Sequence, residues 1–346
     1  MNLTLKKKWG DLSFDELVKY HSIERGGVPT GEPSGAGEDL MELMVRMQEF
    51  EVVSGLEVMG VGVEPLESAT ESRKTVTVED RIEWLERELE MGGSCVWMKS
   101  RNDNATDETV YVMPKEKFVR VMRSATEWMQ KKEGLLKLPE KYVVVNGETF
   151  ALPTLVGNDE RVVRYGQYGD MQIYMTGIMR LVSKGEPSSA EWEKMRMYRN
   201  GFLATLLLPT VVEKVKVDDV REKDGSRWME KRMVRKYDRG ERERVAEVMD
   251  GAPGWLFSML WHLVQSCLAY YQGRFPDLVS GSGGKTNRSK NTDMYVAKLG
   301  TDNVVMKYAG YPSVEAVNDE PVGVILERLD AMNKESKEWE RMRKKK

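Results

Sequence analysis

The chain has 346 residues, enough to bury a sizeable core and to form two domains or lobes. Its 40% apolar and 32% charged residues suit a soluble, charge-coated globule, and two cysteines far apart, Cys95 and Cys267, exclude a disulfide framework and point to a reducing compartment. The net charge of −3 is unevenly spread: residues 11–90 carry 20 acidic and 7 basic side chains, a net −13, which leaves +10 for the remainder. Such a split suggests an acidic part and a basic part with different partners, or two solvated faces of one domain.

In chain order, "MNLTLKKKWG" lacks the apolar run of a secretory leader. Ser13-x-x-Glu16 is a capping box, so a helix is expected from Phe14, with Phe14, Leu17, Val18 and His21 on one face. The Gly/Pro-rich stretch 25–38 reads as a linker. Residues 1–38 therefore form an expected N-terminal arm on a tether, its apolar stripe docking on its own body or on a neighbouring copy.

The next segment, 39–210, is expected to be an N-terminal lobe. Helices are predicted over 39–53 and from Thr77 to the Gly92-Gly93 stop. "SCVWMK" and "ETVYVM" read as strands across a polar loop. Pro114 then opens a helix whose stripe is Phe118, Met122, Ala125 and Met129, ending at Gly134. "YVVV-NG-ETFAL" is the clearest hairpin signal, because Asn146-Gly147 suits a type I′ turn. Helices follow over 169–183 and 189–208, the second capped by Ser188-x-x-Glu191 and closed by Pro209.

Residues 211–330 are the expected C-terminal lobe. A charged stretch leads to helices over 240–249 and 254–272. The second is the longest apolar region, but its Gln, His and Ser mark a buried core helix and not a membrane span. "MYVAKL" and "NVVMKYA" are expected to pair as a hairpin. Pro321 opens a last helix that runs into a charged tail, 331–346. No fixed-period repeat and no regular strand–helix alternation is present, which argues against a doubly wound α/β enzyme. The expected fold is mainly α with two or three β-hairpins, a two-lobed helical body with an extended N-terminal arm.

Residues 280–291, "SGSGGKTNRSKN", end their glycine run in Gly284-Lys285-Thr286, the tail of a phosphate-binding loop. The first glycine of that pattern is replaced by Val279, the flanks make a poor strand and a poor helix, and no later strand ends in an aspartate for magnesium. A flexible loop over 278–293 is the better reading. With only His21 and His262 and two cysteines, no zinc site has adequate ligands, and nothing locates a catalytic triad or dyad. No catalytic residue, cofactor or metal is expected, and the chain is read as a non-enzyme.

Basic side chains mixed with aromatic ones suit single-stranded nucleic acid, because cations track phosphates while rings stack on bases. Four stretches have that mixture. They are Arg161, Arg164, Tyr165 and Tyr168; Lys194, Arg196 and Arg199, with Tyr198; Arg227, Trp228, Lys231, Arg232, Arg235 and Lys236, with Tyr237; and Lys285, Arg288 and Lys290 in the glycine-rich loop. Residues 221–245 hold 10 basic and 6 acidic side chains. The absence of any recognisable nucleic-acid-binding signature implies contact with backbone, not sequence. The abundance of Met (23) and Trp (9), against few Phe and His, suits a purine-rich coding strand such as some RNA viruses carry.

The leading expectation is a viral-type nucleoprotein or coat protein. It binds single-stranded RNA without sequence preference, oligomerises along it, and has no membrane partner. It would occupy the virion and host cytoplasm, with Phe14, Leu17 and Val18 linking copies. The alternative is a non-enzymatic interaction or scaffold protein. A third is a P-loop or magnesium-dependent nucleotide enzyme.

Overall fold

A computed structural model describes residues 6–23, 36–62, 95–100, 110–130, 134–157, 159–183, 188–218, 226–276 and 303–344. Helix predominates, and two small antiparallel sheets accompany it. The chain divides into two compact units, Met1–Lys132 and Glu133–Lys346. The expected boundary at 210/211 falls inside a strand, described below.

In the first unit, helix α1 (Phe14–Ser22) starts where its capping box requires. The Glu16 amide donates to the Ser13 hydroxyl at 3.3 Å, and the Ser13 amide donates to the Glu16 carboxylate at 2.8 Å. Two of the helix's orphan N-terminal groups are thereby satisfied. Its apolar face is covered within its own unit: Leu17 is fully buried, and Tyr20 packs edge-on against Trp9 at 4.8 Å. Trp9 in turn meets Trp128 at 5.1 Å. Leu17 is therefore part of the unit's core in this chain and not an open docking residue, while Phe14 and Val18 beside it are half-buried.

Helix α2 (Ala36–Ser54) leads into a three-stranded sheet of β1 (Leu56–Gly62), β2 (Cys95–Ser100) and β3 (Val110–Pro114), in that spatial order. The β2–β3 pair is one of the expected hairpins, whereas β1 was not anticipated. Helix α3 (Lys115–Thr126) and the 3₁₀ turn after it bury Phe118, Met122, Ala125 and Met129, the stripe read from the sequence. Phe118 meets Phe50 of α2 edge-on at 5.4 Å, which joins the two helices. The helix expected over 77–92 lies outside the described residues.

The second unit contains the hairpin of β4 (Tyr142–Val145) and β5 (Glu148–Ala151). Asn146 and Gly147 both take positive φ, +49° and +82°, as a type I′ turn demands. The sheet runs in the order β4–β5–β6–β7. Strand β6 (Leu208–Asp218) joins β5 through only two residue pairs, Phe150 with Pro209 and Ala151 with Leu208. It then pairs with β7 (Ser226–Val234) over nine. Most of this ribbon thus runs beyond the junction with β5. The charged stretch of the sequence is this ribbon, with Glu213 opposite Lys231 and Lys214 opposite Glu230.

Helices α4 (Tyr165–Val182) and α5 (Ser189–Leu206) pack on each other, α5 capped by Ser188 and Glu191 as expected. Gln167 is buried in that packing. Its side chain accepts from the Arg164 amide at 3.1 Å and donates to the Thr205 carbonyl at 2.6 Å, so one residue caps α4 and anchors the end of α5. After the short α6 (Arg242–Val248), helix α7 (Gly254–Arg274) buries Leu256, Met259, Leu260, Leu263, Val264 and Cys267, as a core helix should. Among the described residues no helix is long and apolar enough to cross a membrane.

Residues 303–309, expected as a strand, form helix α8. Val305 is buried there with Val317, Val322 and Ile325, so packing overrides the β preference of its valines. "MYVAKL" lies outside the described residues. A short α9 (Val314–Asn318) precedes α10 (Val322–Lys344), which begins immediately after Pro321 as predicted.

Candidate nucleic-acid interface

Strand β7 delivers the densest group of exposed cations. Lys231 and Arg232 lie on the strand, and Arg235 and Lys236 on the segment leaving it; all four are exposed. The Arg232 guanidinium sits 5.2 Å from the centre of the Tyr142 ring on β4, a cation–π contact that orders an exposed charge over an aromatic plane. Arg235 is bonded to Glu241 at 3.1 Å with both groups about half exposed. Lys236 lies 3.9 Å from Asp319, and its side chain is 92% exposed. Such solvent-exposed pairs are worth little, and a phosphate can compete for either cation.

These residues border a cavity of about 500 Å³. Arg164, Arg235, Lys236 and Arg239 line it together with Glu160, Asp238, Glu315 and Asp319. Cations and carboxylates are therefore equal in number, and the cavity is polar without being strongly positive. The surplus of positive charge belongs to the β7 edge beside it.

A buried carboxylate fixes one wall. Asp170 of α4 accepts two bonds from Arg239, at 2.7 and 2.8 Å, and one from the Tyr237 hydroxyl at 2.7 Å. Arg242 approaches it at 3.6 Å and also lies 5.6 Å over the Tyr174 ring. Burial, with the negative charge of Asp170 beside it, pushes the Tyr237 hydroxyl well above the ordinary tyrosine value. Tyr237 therefore stays a protonated donor, its hydroxyl tied to Asp170 while the residue lines the cavity.

The remaining sequence candidates divide by what they touch. Arg161 is buried, with its guanidinium bonded to Asp159 at 2.7 Å, and Tyr165 belongs to the core around Tyr271 and Val322. Tyr168 packs against the same core, and burial raises its hydroxyl. Arg161 and Tyr165 are thus buried in the fold, whereas Tyr168 is only half-buried. Arg164 donates to the Asp319 carbonyl at 3.2 Å and so reaches the cavity rim. On α5, Arg199 bonds the Ala252 carbonyl, Arg196 lies 3.3 Å from Asp250, and Asn200 donates to the same carboxylate at 2.9 Å. That trio fastens α5 to the turn at 249–252; Arg199 is half-buried there, while Lys194 and Arg196 are exposed. The side chains of Arg227 and Trp228, and the whole of Lys285, Arg288 and Lys290, lie outside the described residues.

Sequence reasoning missed Tyr142, Asp170 and Arg239. Tyr142 stands 90 positions from Arg232, and no local signal links them; only the sheet order does. Among the described residues no group of three His, Cys, Asp or Glu side chains is placed to hold a metal ion. No protein family, no curated protein and no solved structure matches this chain.

Proposed function

We propose that the second unit binds single-stranded RNA through its phosphates, and that the protein is a viral-type nucleoprotein that coats RNA without sequence preference. The supporting observation is the run of four exposed cations, Lys231, Arg232, Arg235 and Lys236, along β7 and its exit, with Arg232 seated on Tyr142 beside a polar cavity. Spacing along an extended chain is about 3.3 Å per residue, so this run spans a distance that several successive phosphates can follow. Tyr142 supplies a ring near that track. In this reading the two units are the lobes of the nucleoprotein, the N-terminal segment serves its own unit, and the protein acts in the virion and host cytoplasm.

The test is charge reversal at Arg232, Arg235 and Lys236 in the full chain, with binding measured on unrelated single strands across a salt series. Affinity should fall by a similar factor for every sequence. The salt slope should flatten by about one unit for each phosphate contact removed. Unchanged affinity and slope in a folded variant would discard the β7 edge as the binding surface. The equal acids and bases of the cavity favour a second reading, a polar surface for a protein partner. That reading predicts no binding to any of the strands in the wild-type chain.

A further inference from the structure

Helix α10 continues well past the body that it helps to form. Val322 and Ile325 are fully buried in the core with Tyr271 and Phe275, whereas every residue from Lys334 to Arg343 is exposed. On this exposed end stand two large apolar side chains, Trp339 at 70% exposure and Met342 at 47%. They are three residues apart and therefore share a helix face. Glu338 and Glu340 flank the tryptophan. Tryptophan, with tyrosine and arginine, is enriched where binding energy concentrates between proteins.

The same unit carries a receptor of matching chemistry. An open cavity of about 560 Å³ is lined by Leu136, Ser266, Ala269, Tyr270, Gly273 and Arg274. Its walls are apolar side chains, small residues and a tyrosine ring, which accept an indole, and Arg274 at the rim is half exposed in a weak surface pair for which a second carboxylate can compete. Arg274 is bonded to Glu327 near the start of α10. Trp339 lies twelve residues further along that helix, about 18 Å away at 1.5 Å per residue. A straight helix cannot fold back over that distance, so Trp339 does not reach the cavity of its own chain.

We infer that Trp339 of one copy inserts into the Ala269–Gly273 cavity of a second copy, with Glu338 or Glu340 approaching the partner copy's cationic rim. Knob and receptor are different surfaces of one molecule. The contact is heterologous, and it propagates head to tail until it closes into a ring or continues as a filament. The inference stands on α10 and the cavity alone and does not require RNA.

The experiment uses nuclease-treated full-length protein, free of RNA, in concentration-dependent light scattering and sedimentation. Two variants are compared with the wild type. Trp339→Ala removes the knob at an exposed position. Gly273→Trp fills the receptor; a Cβ at that position meets nothing within 4 Å, and a cooperative thermal transition checks that the variant is folded. The wild type should assemble beyond dimers as concentration rises, and each variant alone should remain a monomer. Mixed in equal amounts, the variants should form one-to-one dimers and stop, because one intact knob and one intact receptor survive in the mixture. A wild type that stays monomeric overturns the inference, as do variants that assemble like the wild type or a mixture that forms no dimer. If Trp339→Ala weakens RNA binding while leaving assembly unchanged, the tryptophan serves nucleic acid and the contact is again overturned.

Discussion

Among individual residues, the partner decides the role. The sequence offers Arg161, Arg164, Arg199 and Arg232 as equivalent cations. In the fold Arg161 and Arg199 hold a carboxylate and a carbonyl, Arg164 touches the cavity rim, and Arg232 faces solvent over Tyr142. A single sequence shows the charge but not its partner, because Asp159 is near Arg161 in the chain while Ala252 is far from Arg199. Asp159 gives a pH-dependent test. Burial acts to raise its pKa, but hydrogen bonds from the Thr154 hydroxyl and the Arg161 guanidinium and amide outweigh it, and the carboxyl titrates below its ordinary value. A carboxyl depressed in the folded state stabilises the fold above the unfolded-state pKa, near 4, and that stability is lost as pH falls through the folded value. The urea midpoint of the wild type should therefore drop more steeply below about pH 4 than that of Asp159→Asn, which should be less stable at neutral pH. Parallel pH profiles would show that the Asp159 bonds contribute nothing.

Elements were legible where their signal is local. The capping boxes at Ser13 and Ser188 and the Asn146-Gly147 turn are each decided within four residues, and each forms as read. The β6–β7 ribbon was not read, because "VEKVKV" and "RWMEKRMV" look like a charged run until the strands are paired. The signal that marks it is the alternation of Lys214 and Lys216 with Val215 and Val217. Helix packing is less legible still. Gly177 of α4 lies against the Tyr198 ring of α5, and Gly201 of α5 lies against the Tyr174 ring of α4. An ideal Cβ at Gly201 would overlap that ring, which also lies 5.6 Å from the Arg242 guanidinium. Alanine normally gains about 1 kcal/mol over glycine inside a helix. Here overpacking, at about 1–3 kcal/mol, should reverse the sign. Gly201→Ala is expected to lower the urea midpoint, whereas Gly273→Ala, with open space around its Cβ, should leave it unchanged or raise it. Equal effects at the two positions would remove the reciprocal glycine–tyrosine packing as a constraint on the helix pair.

For the whole molecule, the charge asymmetry follows the division into units. Met1–Lys132 carries 25 acidic and 18 basic side chains, and Glu133–Lys346 carries 31 and 35, so the first unit is at −7 and the second at +4. The first unit keeps its amphipathic α1 for itself, with Leu17, Trp9 and Tyr20 closing its core. The second has its own core around Val322, Ile325 and Tyr271, and it holds the β7 cations, Trp339 and the cavity that would receive it. Both proposed activities therefore reside in one half of the chain. If phosphate contacts dominate affinity, the acidic unit opposes RNA through long-range repulsion, which salt screens within about 10 Å at 0.1 M. The fragment Glu133–Lys346 should then fold, shown by a cooperative thermal transition, and bind single-stranded RNA at least as tightly as the full chain. Its advantage should be greatest at low salt and vanish as salt rises. A folded fragment that no longer binds would place essential contacts in the first unit and return the acidic half to the centre of the function.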